Sequence, residues 1–349
     1  MNATIQELFY IQMKSTWVSD NINLYVVGPL GIFGFILNMI SYRTFRRIKF
    51  KKKTLKNYLE VYTLSCSIMC FILAFVMVFR TPRYFNLEQN LVANIYNCKI
   101  VYYMLITIIM YINILDCVIL LERLSNFGSK RKLNRFFNYN AYRVCLLLFG
   151  LTALLNSPNI FFFDTKFDSD FEIIKRDYDK LIKFIYCDRN QFFDTLAGQM
   201  IIIIIVIIKD IFSLIAEVAL NVSCFFSFKY YFKNKLQKFY MELNMSRHNA
   251  RACETTDEAL KRSIYKIESY NTKLTQMTMY LSMFSILSHL FLAMVYVMNL
   301  AEENVSRIYG FLSVLLFLVK IISNFFLFYF FNRNFRLYVK YFYKIIFCY

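Results

Sequence analysis

The chain has 349 residues, of which 58% are hydrophobic and 19% aromatic, and its mean hydropathy is +0.42. Glycine and proline are scarce, at seven and three residues, which excludes collagen-like, linker-like and disordered chains. Lys and Arg outnumber Asp and Glu by 41 to 23, and the resulting net charge of +18 would by itself favour nucleic acid binding. A water-soluble domain cannot bury this much apolar surface, so part of the chain is expected to face lipid.

Seven apolar stretches are long enough to cross a bilayer, which takes about 20 residues of helix. In chain order they cover residues 24–42, 58–79, 95–121, 142–163, 196–228, 274–300 and 308–331. We therefore expect an all-α membrane protein built as a seven-transmembrane helix bundle. Residues 1–23 would form an N-terminal tail, 24–331 the membrane domain, and 332–349 a short amphipathic eighth helix and tail.

Basic side chains are concentrated in alternate connections between these stretches. Eight lie between the first and second, five between the third and fourth with a sixth, Arg143, at the start of the fourth, ten between the fifth and sixth, and four after the seventh. The connection over residues 164–195 instead has eight carboxylates against six bases. Because basic connections stay in the cytoplasm, the pattern predicts an N-terminus outside the cytoplasm and a cytoplasmic C-terminus. The positive charge is then a topology signal, and no nucleic acid partner is expected.

Short motifs on each predicted side fit this orientation. Asn2 and Asn304 begin sequons on the predicted outer face and are candidate glycosylation sites. The C-terminal tail alternates basic and aromatic residues, a pattern typical of a segment lying along the inner leaflet in contact with membrane lipids. Cys348 in this tail is either a palmitoylation site or a plain cysteine.

The third stretch carries a specific spacing. Cys98 lies near its start, and Arg123 follows 25 residues later, directly after Glu122. This resembles the rhodopsin-like, or family A, G-protein-coupled receptors, in which a disulfide cysteine and an Asp/Glu-Arg-Tyr motif flank the third helix at that separation.

The seventh stretch carries a second resemblance to that family. Asn324 and the dipeptide Phe335-Arg336 stand in the register of the seventh-helix asparagine and the eighth-helix Phe-Arg. Phe325 replaces the usual proline, and the tryptophan and proline of the sixth helix are absent. The chain is most similar to divergent members of the family, such as the orphan peptide receptors and chemoreceptors of invertebrates.

The resemblance implies roles for several residues. Cys98 would form a disulfide with Cys187, since both lie on the oxidising side of the membrane. Arg123 would be held by Glu122 and by Glu268 until a ligand moves the sixth helix, although Glu268 has the alternative of a solvated charge on a loop helix. The implied partners are a heterotrimeric G protein and an extracellular peptide or chemosensory ligand.

Ionisable residues inside the predicted spans form a further group, and such residues usually mark function or pairing. They are Asp116, Lys209, Asp210, Glu217, His289 and Lys320. The register of the family brings Asp116 to the depth of Lys320, so we expect these two to pair, with Asn113 and Asn324 nearby. Solvation by water in a cavity is the alternative.

Ligand class and reaction type are narrowed mainly by exclusion. Leu105 and Leu318 occupy the positions of the amine-binding aspartate and the retinal-binding lysine of the family, which disfavours both ligands. Two histidines and seven glycines provide no metal site, cofactor site or phosphate loop, so no enzyme is expected. A peptide is favoured because the connection over residues 164–195 is charged. The main alternative is a seven-helix transporter or channel.

Overall fold

The computed structural model describes residues 23–48, 53–79, 96–127, 139–161, 163–167, 185–206, 211–249, 280, 283–288, 290 and 303–347. Most of these residues are helical. We number the helices α1 (Gly28–Arg47), α2 (Lys53–Phe79), α3 (Tyr102–Phe127), α4 (Ala141–Asn156), α5 (Leu196–Val206), α6 (Phe212–Asn249), α7 (Glu303–Phe331) and α8 (Arg333–Phe347). One turn of π-helix leads into α1 at Asn23–Val27 and into α3 at Tyr96–Val101.

Within the described residues, six helices are long and apolar enough to cross a membrane. They are Tyr25–Arg47, Thr54–Phe75, Lys99–Ser125, Ala141–Ile160, Phe212–Tyr231 and Leu312–Phe331. The chain therefore has the character of a helical membrane protein. The predicted span over 274–300 lies largely outside the described residues, although those of its residues that are described (280, 283–288 and 290) are helical. The count of seven helices stays a prediction.

One connection departs from the all-α expectation. Strands β1 (Phe163–Phe167) and β2 (Ile185–Arg189) pair antiparallel, with Thr165 opposite Cys187. No strand was predicted from the sequence in this connection. Phe163, Thr165 and Phe167 alternate with charged residues, which is the period-two pattern of a strand, and a five-residue run was too short to stand out.

Two helices continue beyond their predicted ends. α6 extends to Asn249, well past residue 228, because the following segment is rich in Lys, Leu and Met and contains neither glycine nor proline. α3 likewise continues to Phe127, so Glu122 and Arg123 lie inside a helix and do not close it. Hydropathy marks where lipid contact ends, whereas helix propensity decides where the helix ends.

The first two helices pack very closely through small residues. A Cβ atom added at Gly31 would lie 2.9 Å from the Cβ of Ala74 and 3.0 Å from the backbone oxygen of Cys70. One added at Gly34 would lie 2.8 Å from the Sγ of Cys70. Glycine at these two positions lets the α1 and α2 backbones approach, which in lipid replaces the missing hydrophobic driving force with tight packing.

The C-terminal helix is anchored to the ends of α1 and α7. The side chain of Asn332 caps α8 by accepting a hydrogen bond from the backbone N–H of Phe335, at 3.2 Å. Phe335 is fully buried, with ring centroids 5.2 Å from Phe45 and 5.8 Å from Phe328. The beginning of α8 is thus held against the ends of α1 and α7.

We expect Gly31→Val to destabilise the α1–α2 contact, because the atoms that the new side chain meets include α2 backbone that cannot move aside. Overpacking of this kind costs about 1–3 kcal/mol. Thermal unfolding of the purified protein in nanodiscs measures the loss. Gly150→Val is the matched control, since nothing lies within 4 Å of a Cβ added there. Equal melting temperatures for the two variants would contradict the packing described.

Candidate functional site

A buried ion pair joins α3 to α7 inside the bundle. The Nζ of Lys320 lies 2.9 Å from the Oδ2 of Asp116, and the lysine side chain is only 3% exposed. Lys320 also donates to the Oδ1 of Asn113 at 3.4 Å. This is the pair expected from the sequence. A lone charge at such a place would be strongly destabilising, so each of the two ions requires the other.

Helical spacing explains why these residues converge. Asn113 and Asp116 are three residues apart on α3, and Lys320 and Asn324 are four apart on α7, so each helix presents both side chains on one face. Most of the neighbouring positions on both helices are apolar, so the face that carries the ions and amides is directed into the bundle. Once α3 and α7 are adjacent, the helical periodicity therefore brings the ion pair and the two amide side chains together.

Tyr62 of α2 connects the two halves of this network. Its hydroxyl accepts a hydrogen bond from the Nδ2 of Asn324 at 2.7 Å and lies 3.5 Å from the Oδ2 of Asp116. The residue is buried, so the network joins α2, α3 and α7. Sequence reasoning missed Tyr62, because one tyrosine among 27 in an apolar helix carries no distinguishing signal.

A cavity of about 40 Å³ adjoins the network, which is a volume that fits about three water molecules. Leu59, Ile119, Leu120 and Phe328 form its apolar wall. Its polar wall consists of Tyr62, Asp116, Arg123, Glu217, Asn221, Ser285, Lys320 and Asn324. The cavity therefore places the ion pair and the arginine of the predicted switch against one continuous space.

The predicted switch residues Glu122 and Arg123 lie next to each other on α3, and of the two it is Arg123 that lines the cavity. Glu122 is 1% exposed and accepts a hydrogen bond from the Oγ1 of Thr54, at the start of α2, at 3.1 Å. Arg123 is half-buried and lines the cavity. It lies seven residues, or about 10 Å, along α3 from Asp116. Glu268 lies outside the described residues, and its role stays a prediction.

The backbone places the two cysteines of the predicted disulfide in neighbouring elements. Cys98 lies in the turn Tyr96–Val101, which packs against β1, and Cys187 lies in β2, the partner of β1. The side chains of both cysteines fall outside the described part of the chain, so the disulfide stays a prediction. The same holds for Asn2 and Cys348, and for the side chain of Asn304.

Comparison with known proteins adds no relative. No protein-family model matches the sequence, and no curated protein matches it. Any functional conclusion therefore rests on the residues of this chain and on their geometry.

We expect that Asp116→Lys and Lys320→Asp will each reduce surface expression strongly, because each brings two like charges together in the membrane interior. Leaving a buried charge uncompensated costs about 3–5 kcal/mol. The double variant restores one opposite pair and should recover a large part of the expression. Flow cytometry of a tagged protein on intact cells measures it. A double variant as poorly expressed as either single one would show that the pair does not determine stability.

Proposed function

We propose that the chain is a seven-helix receptor of the plasma membrane that binds an extracellular ligand and activates a heterotrimeric G protein. One observation carries the proposal, namely the cavity that Arg123 shares with the Asp116–Lys320 pair. A movement of the helices that lengthens or breaks this pair changes the surroundings of Arg123 directly. Signal transfer requires that two sites, here the ligand site and the G-protein site, both shift the equilibrium of one structural element.

The position of Arg123 suits the output end of such a receptor. The guanidinium is charged at every physiological pH and has five donors, so it can exchange partners without losing its charge. It lies toward the end of α3 that precedes a basic, predicted cytoplasmic connection. In the proposed mechanism, outward displacement of neighbouring helices widens the cavity and lets Arg123 face the G protein, which is a rigid-body transition of a familiar type.

The input end is proposed to receive a peptide. The connection between α4 and α5 contains many carboxylates and bases, and its β1–β2 pair gives it a defined backbone to present them. Charged side chains on an ordered strand pair are suited to steering and orienting a charged peptide. A small-molecule chemosensory ligand is the alternative input for the same receptor.

Membrane lipids are the proposed partners of α8. Arg333, Arg336 and Lys340 follow one another at spacings of three and four residues, which places them on one helical face. Leu337 and Tyr341 are exposed apolar residues at 55% and 59%. A helix with basic residues on one face and exposed apolar residues beside them fits the cytoplasmic surface of the bilayer, where its cations contact anionic headgroups.

A transporter or channel is the second candidate function, and the buried charges in the cavity favour it. Ionisable residues along a polar intramembrane space are typical of ion and proton pathways. The sequence shows no repeated pattern of hydrophobic segments, which is the usual basis of transporter symmetry. We therefore rank the receptor first.

Arg123→Ala should reduce stimulated nucleotide exchange by at least about tenfold, as expected when a buried charge-assisted contact with the G protein is lost. The assay is a peptide and small-molecule library screened with a promiscuous G protein, followed by GTPγS binding to purified receptor. Arg143→Ala, at an exposed arginine of α4, is the control. Unchanged exchange in Arg123→Ala would remove the proposed switch. Ion or solute flux into liposomes without exchange would support the transporter.

Epitope tags test the proposed orientation. An odd number of spans puts the two ends on opposite sides, so antibody should reach an N-terminal tag on intact cells and a C-terminal tag only after permeabilisation. Matched expression of both tagged forms is the control. Two tags that are accessible from the same side would exclude seven spans.

A further inference from the structure

Lys320 has a second carboxylate available in the same cavity. Glu217 of α6 is 2% exposed and lines the cavity together with Lys320 and Asp116. The two carboxyl groups belong to different helices, α3 and α6, which pack on each other. Lys320 thus shares one cavity with two carboxyl groups that are carried by separate helices.

The surroundings of the Lys320 ammonium allow it to move between Asp116 and Glu217. A lysine has three N–H donors on a flexible four-carbon chain. The contact with Asp116 at 2.9 Å is short, whereas the hydrogen bond to Asn113 at 3.4 Å is long and therefore weak. The cavity of about 40 Å³ adjoins the lysine, so its side chain can turn within the bundle without displacing a packed residue.

We propose that the Lys320 ammonium has a second binding position, beside Glu217. In the conformation seen, Lys320 pairs with Asp116 and joins α7 to α3. In the other conformation it pairs with Glu217 and joins α7 to α6. This makes Glu217 a positioning residue of the proposed receptor, and the proposal deepens that function. Moving the lysine between carboxylates keeps the number of ion pairs constant, so the two conformations differ little in energy. A ligand can shift the equilibrium between two conformations when their difference in free energy is small.

The exchange would also transmit movement to the cytoplasmic side. α7 continues almost directly into α8, whose Phe335 is packed against Phe45 of α1. Asn324, one turn after Lys320, donates to Tyr62 of α2. Transfer of the ammonium from Asp116 to Glu217 therefore pulls on both contacts and alters the cavity wall that includes Arg123.

A double-mutant cycle tests the two positions without reference to a G protein. Asp116→Asn and Glu217→Gln each leave Lys320 one carboxylate, so each should lower the melting temperature in nanodiscs only modestly. Together they leave the lysine uncompensated, and the combined loss should be at least about twice the sum of the single losses. Asn221→Ala, which removes an uncharged side chain of the same cavity, should be additive with Asp116→Asn. Additive losses for Asp116→Asn and Glu217→Gln would overturn the proposal.

If the double variant fails to fold, adding Lys320→Met decides the matter. Removing the cation removes the uncompensated charge, so the triple variant should recover expression. A triple variant that stays unfolded would show that the two carboxylates are needed for another structural reason, and it would overturn the proposal.

Ligand-free GTPγS exchange with a panel of heterotrimers tests the link to function. Asp116→Asn should raise basal exchange several-fold, because it leaves the lysine only the position on Glu217. Adding Glu217→Gln should abolish this rise, while adding Glu217→Asp should preserve it. A rise that persists with Glu217→Gln would overturn the proposal. If the melting temperatures are non-additive but no variant supports nucleotide exchange, the result supports the two positions of Lys320 and contradicts the proposed receptor function.

Discussion

A lysine ammonium and an aspartate carboxylate that lie 2.9 Å apart inside a helical bundle determine much of this structure. Neither ion is tolerated alone in a medium without water, so the pair forces α3 and α7 to stay adjacent at one depth and one rotation. Lys320 also donates to Asn113, and Asn324 donates to Tyr62, so the pair is part of a polar network that includes α2. The polar network specifies the arrangement of the helices, which apolar side chains in lipid cannot do by themselves.

Several other contacts that hold the scaffold together involve only uncharged groups. Gly31 and Gly34 let α1 lie directly on α2, and Tyr111 of α3 donates to the backbone oxygen of Cys145 in α4 at 3.1 Å. At the base, the rings of Phe45 and Phe335 secure α8. These contacts lie on the outer sides of the network, so they support it without filling its cavity. Helices that pack closely around an open polar cavity form an arrangement in which a small displacement is confined to a few side chains.

The sequence predicted much of the helical content because a span needs a long apolar run, and such runs are visible without a structure. It also predicted the contact between Asp116 and Lys320, since a resemblance supplied the register of α3 against α7. It could not predict Tyr62 or the place of Glu217 in the cavity, because these depend on the rotation of α2 and α6, which hydropathy does not determine. The strands β1 and β2 were missed since short pairs depend on a partner distant in the chain.

A second carboxyl group in the cavity of Lys320 is what distinguishes a movable ion pair from a purely structural one. A purely structural pair is best served by one anion and one cation, since any further buried ion adds a desolvation penalty. Here Asp116, Glu217, Lys320 and Arg123 come from three helices and line one space. Maintaining a second carboxylate within range of Lys320 is unfavourable in a single static conformation. It becomes useful where the helices have two arrangements, because each arrangement then has a carboxylate for the same lysine.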